Sequence, residues 1–204
     1  MPDDAVVPNH HRNFPGFSGV SGLIGALSMT VGRQGDARFA ASLGGVGPND
    51  VVIDIGCGPG VAVRHAADLG ASCVGIDPAA VMLRVARRLT RSSAVRYLDG
   101  TAEALPVTDD SASVAWSIAT VHHWNSIEAG LGEVRRVLRS GGRFVAIERL
   151  TPAGATGHAS HGWTEEQAQA FSEACRERGF IDVRIEHGQR NARQQLIAVV
   201  ATRP

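Results

Sequence analysis

The chain has 204 residues, enough for one domain with a small appendage, and long enough to bury about 70% of its unfolded surface without disulfide or metal support. Apolar residues make up 44% and charged residues 20%, which excludes a disordered or collagen-like chain. Its 20 basic residues, all arginine, balance 20 acidic ones, so no global field draws it to nucleic acid or to an anionic membrane.

The N-terminal stretch 14–32 is uncharged but diluted by Pro15 and five glycines, lies behind Asp3 and Asp4, and has no A-x-A cleavage site. It reads neither as a spanning helix nor as a signal peptide. Cys57, Cys73 and Cys175 are widely spaced and form no C-x-x-C pair, so reduced thiols in a cytoplasm are expected. From there strand-like and helix-like runs alternate. Val51–Ile55 is a β-branched run closed by glycines, followed by a helix over about 60–69. A strand over 72–76 precedes a helix over 78–91, with Val81, Val85 and Leu89 on one stripe and Pro78 suited to its first turn. Strands are expected at 94–98 and 112–118. Asn125 with Glu128 resembles a capping box opening a helix with Ile127, Leu131, Val134 and Leu138 as its core stripe. Gly141-Gly142 is expected to end it before a strand over 143–148. Thr164 and Gln167 form a second capping box, with Ala168, Phe171 and Cys175 buried and Gly179 as terminator. Two final strands, 180–186 and 196–201, are joined by a glycine-containing turn and lack a helix between them. The order implies an α/β fold: a Rossmann-like, doubly wound sheet of about seven strands, mostly parallel with an antiparallel last strand. Ligands of such sheets bind beyond the carboxyl ends of the strands, where strand order reverses.

Asp54-Ile55-Gly56-Cys57-Gly58-Pro59-Gly60 sits at that place after the first strand. Its glycines let a ligand approach the backbone and offer amides at a helix N-terminus. The dinucleotide fingerprint requires Gly or Ala at position 61, where Val61 stands. The loop instead resembles motif I of the class I S-adenosylmethionine-dependent methyltransferases, and the resemblance extends over residues 45–203, with residues 1–44 as a helical, glycine-rich cap contributing to the acceptor pocket of a 45–204 methyltransferase domain. It implies S-adenosyl-L-methionine as cofactor, with Asp54, Gly56, Cys57, Gly58 and Gly60 around it. Asp77, 23 residues after Asp54, matches the acid that accepts both ribose hydroxyls, with Pro78 beside it. Met82 matches a methionine near the adenine, and ordinary core packing explains it equally well. The segment 99–106 resembles the family's G-D-A-E-x-L-P run and places Thr101 and Ala102 at the adenine; Thr101 departs from the family's acid, and Asp99 lies two residues early. Glu133–Gly142 matches a scaffold signature with Ser140 in place of proline.

Val121-His122-His123-Trp124 follows the fourth strand, where related small-molecule O-methyltransferases hold histidines, and Glu148 closes the fifth strand 25 residues after His123. A histidine oriented by a carboxylate is a general base for an alcohol or phenol. The spacing to Glu148 favours His123 and the resemblance to H-D-W favours His122; a strand-end polar contact is the alternative for either. His158 and His161 have a spacing a metal could use, but two ligands make no site, so no metal is expected. Arg84, Arg87, Arg88 and Arg91 read as a solvated helix face. There is no D/N-P-P-Y/F segment after the fourth strand and no cysteine near that edge, which leaves small molecules as the favoured acceptors; the resemblance of the histidine pair to O-methyltransferases implies oxygen as the site of methylation. Phe14, Phe17, Leu23, Ile24, Leu27 and Trp163 suggest an apolar acceptor. The alternatives are a non-catalytic cofactor-binding module and a nucleotide-cofactor oxidoreductase; the oligomeric state is left open.

Overall fold

A computed structural model describes residues 32–155 and 161–204. Helix α1 (Gln34–Gly44) leads into β1 (Val51–Ile55), α2 (Val61–Asp68), β2 (Ser72–Ile76), α3 (Ala80–Leu89) and β3 (Val95–Leu98). Then follow β4 (Ala112–Ile118), a 3₁₀ turn (Val121–His123), α4 (Ile127–Val137), β5 (Leu138–Arg149), α5 (Glu165–Glu177), β6 (Ile181–Asn191) and β7 (Gln194–Thr202). The seven strands form one sheet in the order β3-β2-β1-β4-β5-β7-β6. Every pairing among the first five strands is parallel, and β7 runs antiparallel to both β5 and β6. The chain winds outward from β1 to β3 and then returns to β4 on the other side of β1. That reversal opens a crevice at the carboxyl ends of β1 and β4.

The strands alternate their burden between two faces. Ile53 and Ile55 join Phe144, Leu131, Val134 and Phe171 under α4 and α5. Val52, Trp116 and Val145 join Ala37, Ala40, Val63 and Leu83 under α1, α2 and α3. Asp54 shares the parity of Val52, so a carboxylate enters the second layer at 3% exposure. Helix α1 is tied across the fold by Asp36, whose two carboxylate oxygens accept from Arg190 on β6 at 2.7 and 2.6 Å. Removing one member of such a buried pair costs about 3–5 kcal/mol, because the other charge is left uncompensated.

Four local expectations are corrected. The third helix starts at Ala80, not at Pro78, because Asp77 Oδ1 accepts from the Ala79 N–H at 2.8 Å and holds 77–79 as a bend. The fourth is capped by Ser126, whose hydroxyl accepts from the Ala129 N–H, rather than by Asn125 with Glu128. Asn125 and Ser126 both donate their amides to Glu103, which keeps residue 125 outside the helix. Gly141-Gly142 lies within β5 and does not end α4: pairing with β4 begins at Leu138, breaks register and resumes at Arg143. The last hairpin turns at Ala192 and Arg193, and Gly188 lies inside β6. The Thr164–Gln167 capping box forms as expected, and Ala168, Phe171 and Cys175 are buried. The three cysteines are free and buried. No described helix is long and apolar enough to cross a membrane.

Candidate functional site

One cleft with two lobes occupies the crevice. Asp54, Cys57, Gly58, Arg33 and Asp36 border the first lobe; Pro78, Thr101, Ala102, His123 and Trp124 border the second. Gly56, Asp77 and Thr120 belong to both. The cavity volumes of the two lobes are about 130 and 210 Å³, and both open to solvent.

The glycine loop serves two purposes. A Cβ on Gly56 would meet the Thr120 side chain at 2.6 Å, so this glycine lets β1 and β4 close on each other. Gly58 has φ +51°, and nothing lies within 4 Å of where its Cβ would stand. That position leaves room for a ligand rather than for the protein. The loop amides are another matter. Gly56 and Cys57 both donate to the Ile76 carbonyl at 2.8 and 2.9 Å, Gly58 to Asp77 Oδ2 at 2.8 Å, and Gly60 to the Cys57 carbonyl at 3.0 Å. The fold consumes these four loop amides; the first-turn amides of α2, Val61 to Val63, have no acceptor within the helix and lie outside that set. A pyrophosphate placed at the loop would face the Asp54 and Asp77 carboxylates, which opposes a dinucleotide.

Those carboxylates are strongly perturbed. Burial pushes Asp54 up to about 7; the Trp116 indole beside it opposes the shift and Asp77 adds to it. Burial also raises Asp77, against the two backbone amides that favour its charged form. The amides fix the Asp77 carboxylate at the boundary of the lobes, and each oxygen keeps further acceptor capacity. Cys57 is a buried thiol raised well above its ordinary value by burial, so it lines the lobe as a small apolar group. Met82 is 2% exposed, packs on Val85 and also borders the first lobe, so core and wall roles coincide. Thr101 and Ala102 border the second lobe, whereas Asp99 borders neither.

The histidine pair divides. His122 is buried and its Nδ1 lies 3.1 Å from both Glu148 oxygens. The same carboxylate accepts the Val121 N–H at 3.0 Å. Spacing pointed to His123; the structure pairs His122 with Glu148 instead, because the 3₁₀ turn swings residue 122 inward and leaves 123 exposed along the second lobe. The two rings lie 4.1 Å apart, and His161 stacks on His122 at 6.0 Å. Burial opposes protonation of His122, but Glu148 outweighs it and the net shift is upward. His158 and the aromatic and apolar residues of 14–31 lie outside the described residues. Trp163 is fully buried in the α5 layer and borders neither lobe; His122 and Glu148, also buried, stand behind Thr120 and His123 and border neither lobe themselves.

Sequence reasoning missed four residues. Thr120 bonds the Ile55 carbonyl at 2.9 Å and knits β1 to β4 at the crevice. Glu103 anchors the 125–126 turn at 2.6 and 3.3 Å; it stood inside a quoted motif with no role given. Arg33 and Asp36 reach the first lobe from α1, and no local pattern announced them. Elsewhere Glu133 and Arg136 bind each other and the 105–109 segment, as a scaffold motif should.

Residues 53–146 match a protein family described as a methyltransferase domain. The malonyl-[acyl-carrier protein] O-methyltransferase of Pseudescherichia vulneris is 36% identical over 110 residues, 54% of this chain and 43% of that one. The demethylmenaquinone methyltransferase of Mycobacterium sp. (strain JLS) is 35% identical over 131 residues, 62% of this chain and 55% of that one. The chain thus spans about half the length of these relatives. Among solved structures, the methyltransferase in complex with the Haloferax volcanii Trm112 activator superposes with a TM-score of 0.75 at 22% identity, covering 88% of this chain and 93% of that one. That likeness carries the fold.

Proposed function

We propose that this chain, whose residues 53–146 match a methyltransferase-domain family, is a class I S-adenosylmethionine-dependent enzyme that transfers a methyl group to a small-molecule acceptor at oxygen. The observation that carries the reading is the cleft itself: an open approach at Gly58, loop amides already spent, and two buried carboxylates facing the same space. Such a pocket suits a nucleoside bearing a cation and repels a pyrophosphate. Bound there, the cofactor supplies an electrophilic sulfonium methyl. In this reading Asp77 holds the ribose hydroxyls, Pro78, Thr101 and Ala102 flank the adenine, and Asp54, Gly56, Cys57, Gly58, Gly60 and Met82 shape the remaining wall.

His122 is the base. With Nδ1–H directed at Glu148, Nε2 carries the lone pair that takes the acceptor's proton, and Glu148 steadies the imidazolium that results. His123 contacts the ligand from the second lobe. Alignment of acceptor and methyl group supplies about 7–11 kcal/mol of the barrier reduction, whereas the base adds ~10²–10⁴-fold, so positioning carries most of the rate. Residues 1–44 cap the acceptor side of a domain spanning 45–204, and the reduced thiols fit a cytoplasmic setting. Oxygen chemistry follows from the dyad and agrees with the name of one relative; the other is named for a quinone acceptor. Titration with S-adenosylhomocysteine and, separately, with NADH tests the cofactor: binding of NADH alone sinks the reading. Turnover of labelled cofactor on metabolite extracts then identifies the acceptor, and a protein that binds the cofactor but methylates nothing is a binding module.

A further inference from the structure

The first lobe holds one cation that the described fold does not neutralise. Arg33 immediately precedes α1 and borders the lobe beside Gly56 and Gly58. Its guanidinium makes no hydrogen bond or ion pair with any described residue. Two acids lie within electrostatic reach, Asp36 and Glu148, and both are committed elsewhere. Asp36 gives both oxygens to Arg190 at 2.7 and 2.6 Å. Glu148 gives both to His122 and one of them also to the Val121 amide. Arg190 adds a second positive charge nearby. The lobe is therefore divided: its floor carries Asp54 and Asp77, and its rim carries Arg33. Arg33 is partly exposed at the rim, and the partner that matches a planar guanidinium is a carboxylate, bound through two parallel N–H···O bonds.

We propose that Arg33 is the carboxylate-binding residue of the cleft, pairing with the carboxylate of a small molecule seated between the glycine loop and the His122–Glu148 dyad. The inference rests on the cofactor reading above and adds to it a residue outside every motif and outside the matched segment 53–146. One chemistry has two sources here: the amino-acid tail of the cofactor, or an acidic group on the acceptor. The Asp54–Arg33 polarity of the lobe matches a zwitterion, with its cation toward the floor and its anion toward the rim.

The test is a cycle between a protein change and a ligand change. The full chain, as wild type and Arg33→Met, is titrated with S-adenosylhomocysteine and with its decarboxylated counterpart, which keeps the amine. Arg33→Lys keeps the charge without the fork and controls for folding. If the cofactor supplies the carboxylate, wild type prefers the intact ligand by about tenfold or more, the usual worth of a charge-assisted bond, and Arg33→Met erases that preference. If the acceptor supplies it, the cofactor preference does not depend on Arg33. Labelled-cofactor turnover of salicylate over salicylamide then falls by a similar factor in Arg33→Met. A variant that leaves both preferences at their wild-type values overturns the proposal, as does a wild type showing neither preference. Should Arg33→Met not fold, the wild-type preferences and Arg33→Lys decide. A wild type that binds neither nucleoside overturns the cofactor reading itself, an outcome distinct from loss of the Arg33 effect alone.

Discussion

The two ends of the cleft are built by opposite means. The glycine-loop end, the proposed cofactor wall, is built from neighbouring turns: Asp54, Gly56, Gly58 and Asp77 come from two adjacent strands and the turns that follow them, with bonds spanning 19 and 2 residues. The histidine end, the proposed acceptor side, is assembled from farther along the chain. Glu148 reaches Val121 and His122 across 27 and 26 residues, from the end of β5 to the turn after β4. A site of the first kind is specified by one contiguous pattern. A site of the second kind depends on the whole sheet being in register, so it should be the more easily lost when distant packing changes.

The comparison can be broken at the acceptor end first, where the largest effect is expected. His122→Ala should lower kcat by ~10²–10⁴ and leave cofactor affinity nearly unchanged, since only the departing proton loses its acceptor. The base must be neutral to act and Glu148 raises its pKa, so the rate should climb with pH through a value above the ordinary 6.5. Glu148→Gln should cost less and move that climb to lower pH, because the amide keeps a hydrogen-bond acceptor but loses the charge. A pH–rate profile for each variant checks this. If His122→Ala, His123→Ala and the double variant all keep kcat within about threefold, a change under 1 kcal/mol, base catalysis is excluded.

At the cofactor end Asp77→Ala should weaken S-adenosylhomocysteine binding by ~1.5–3 kcal/mol, the range for a hydrogen bond to a charged group. Asp77 also orders Gly58 and Ala79, so Asp77→Asn, which keeps an acceptor oxygen for one of those amides, separates loop order from ribose contact. Calorimetry giving a change below about 0.5 kcal/mol for both variants removes Asp77 from the ribose. Gly58 and Gly60 sharpen the contrast within a single loop. Gly58→Asn, a side chain that tolerates left-handed backbone, should fill the open space and weaken cofactor binding by about 1–2 kcal/mol with little change in Tm. Gly60 has φ +77°, and its Cβ would strike the Tyr97 hydroxyl, so Gly60→Ala should lower Tm instead. Equal effects of the two substitutions on Tm would refute the division.

The smallest expected effect is a pH dependence of stability. The folded pKa of Asp54, about 7, stands above its ordinary 3.8, so the stability this group contributes is complete at low pH and is lost as pH rises through 7. Tm of the ligand-free protein should therefore fall between about pH 4 and 7, and this group adds no further fall above that. His122, also raised, adds a fall of the same sign. Asp54→Asn, neutral throughout, should flatten the Asp54 share of the slope; an unchanged slope assigns the whole effect elsewhere.

The sequence by itself determined the seven strands and their mostly parallel winding, and it marked the residues from Asp54 to Ala102 as candidates for a cofactor wall. These are short-range consequences: β-branched runs make buried strands, glycines mark the turns that follow them, and a strand's end fixes where its next residues point. It also held Glu148 and both histidines as candidates. Only the tertiary structure decided which histidine meets Glu148, since a 3₁₀ turn alternates facing differently from the strand before it and residue spacing carries no record of that. Only the tertiary structure spent the loop amides on Ile76 and Asp77, moved a helix cap from Asn125 to Ser126 through Glu103, and brought Arg33 and Asp36 to the cleft. Each of those outcomes is a hydrogen bond or charge pair between segments far apart in the chain, and such pairs are set by the register of the sheet rather than by any local preference.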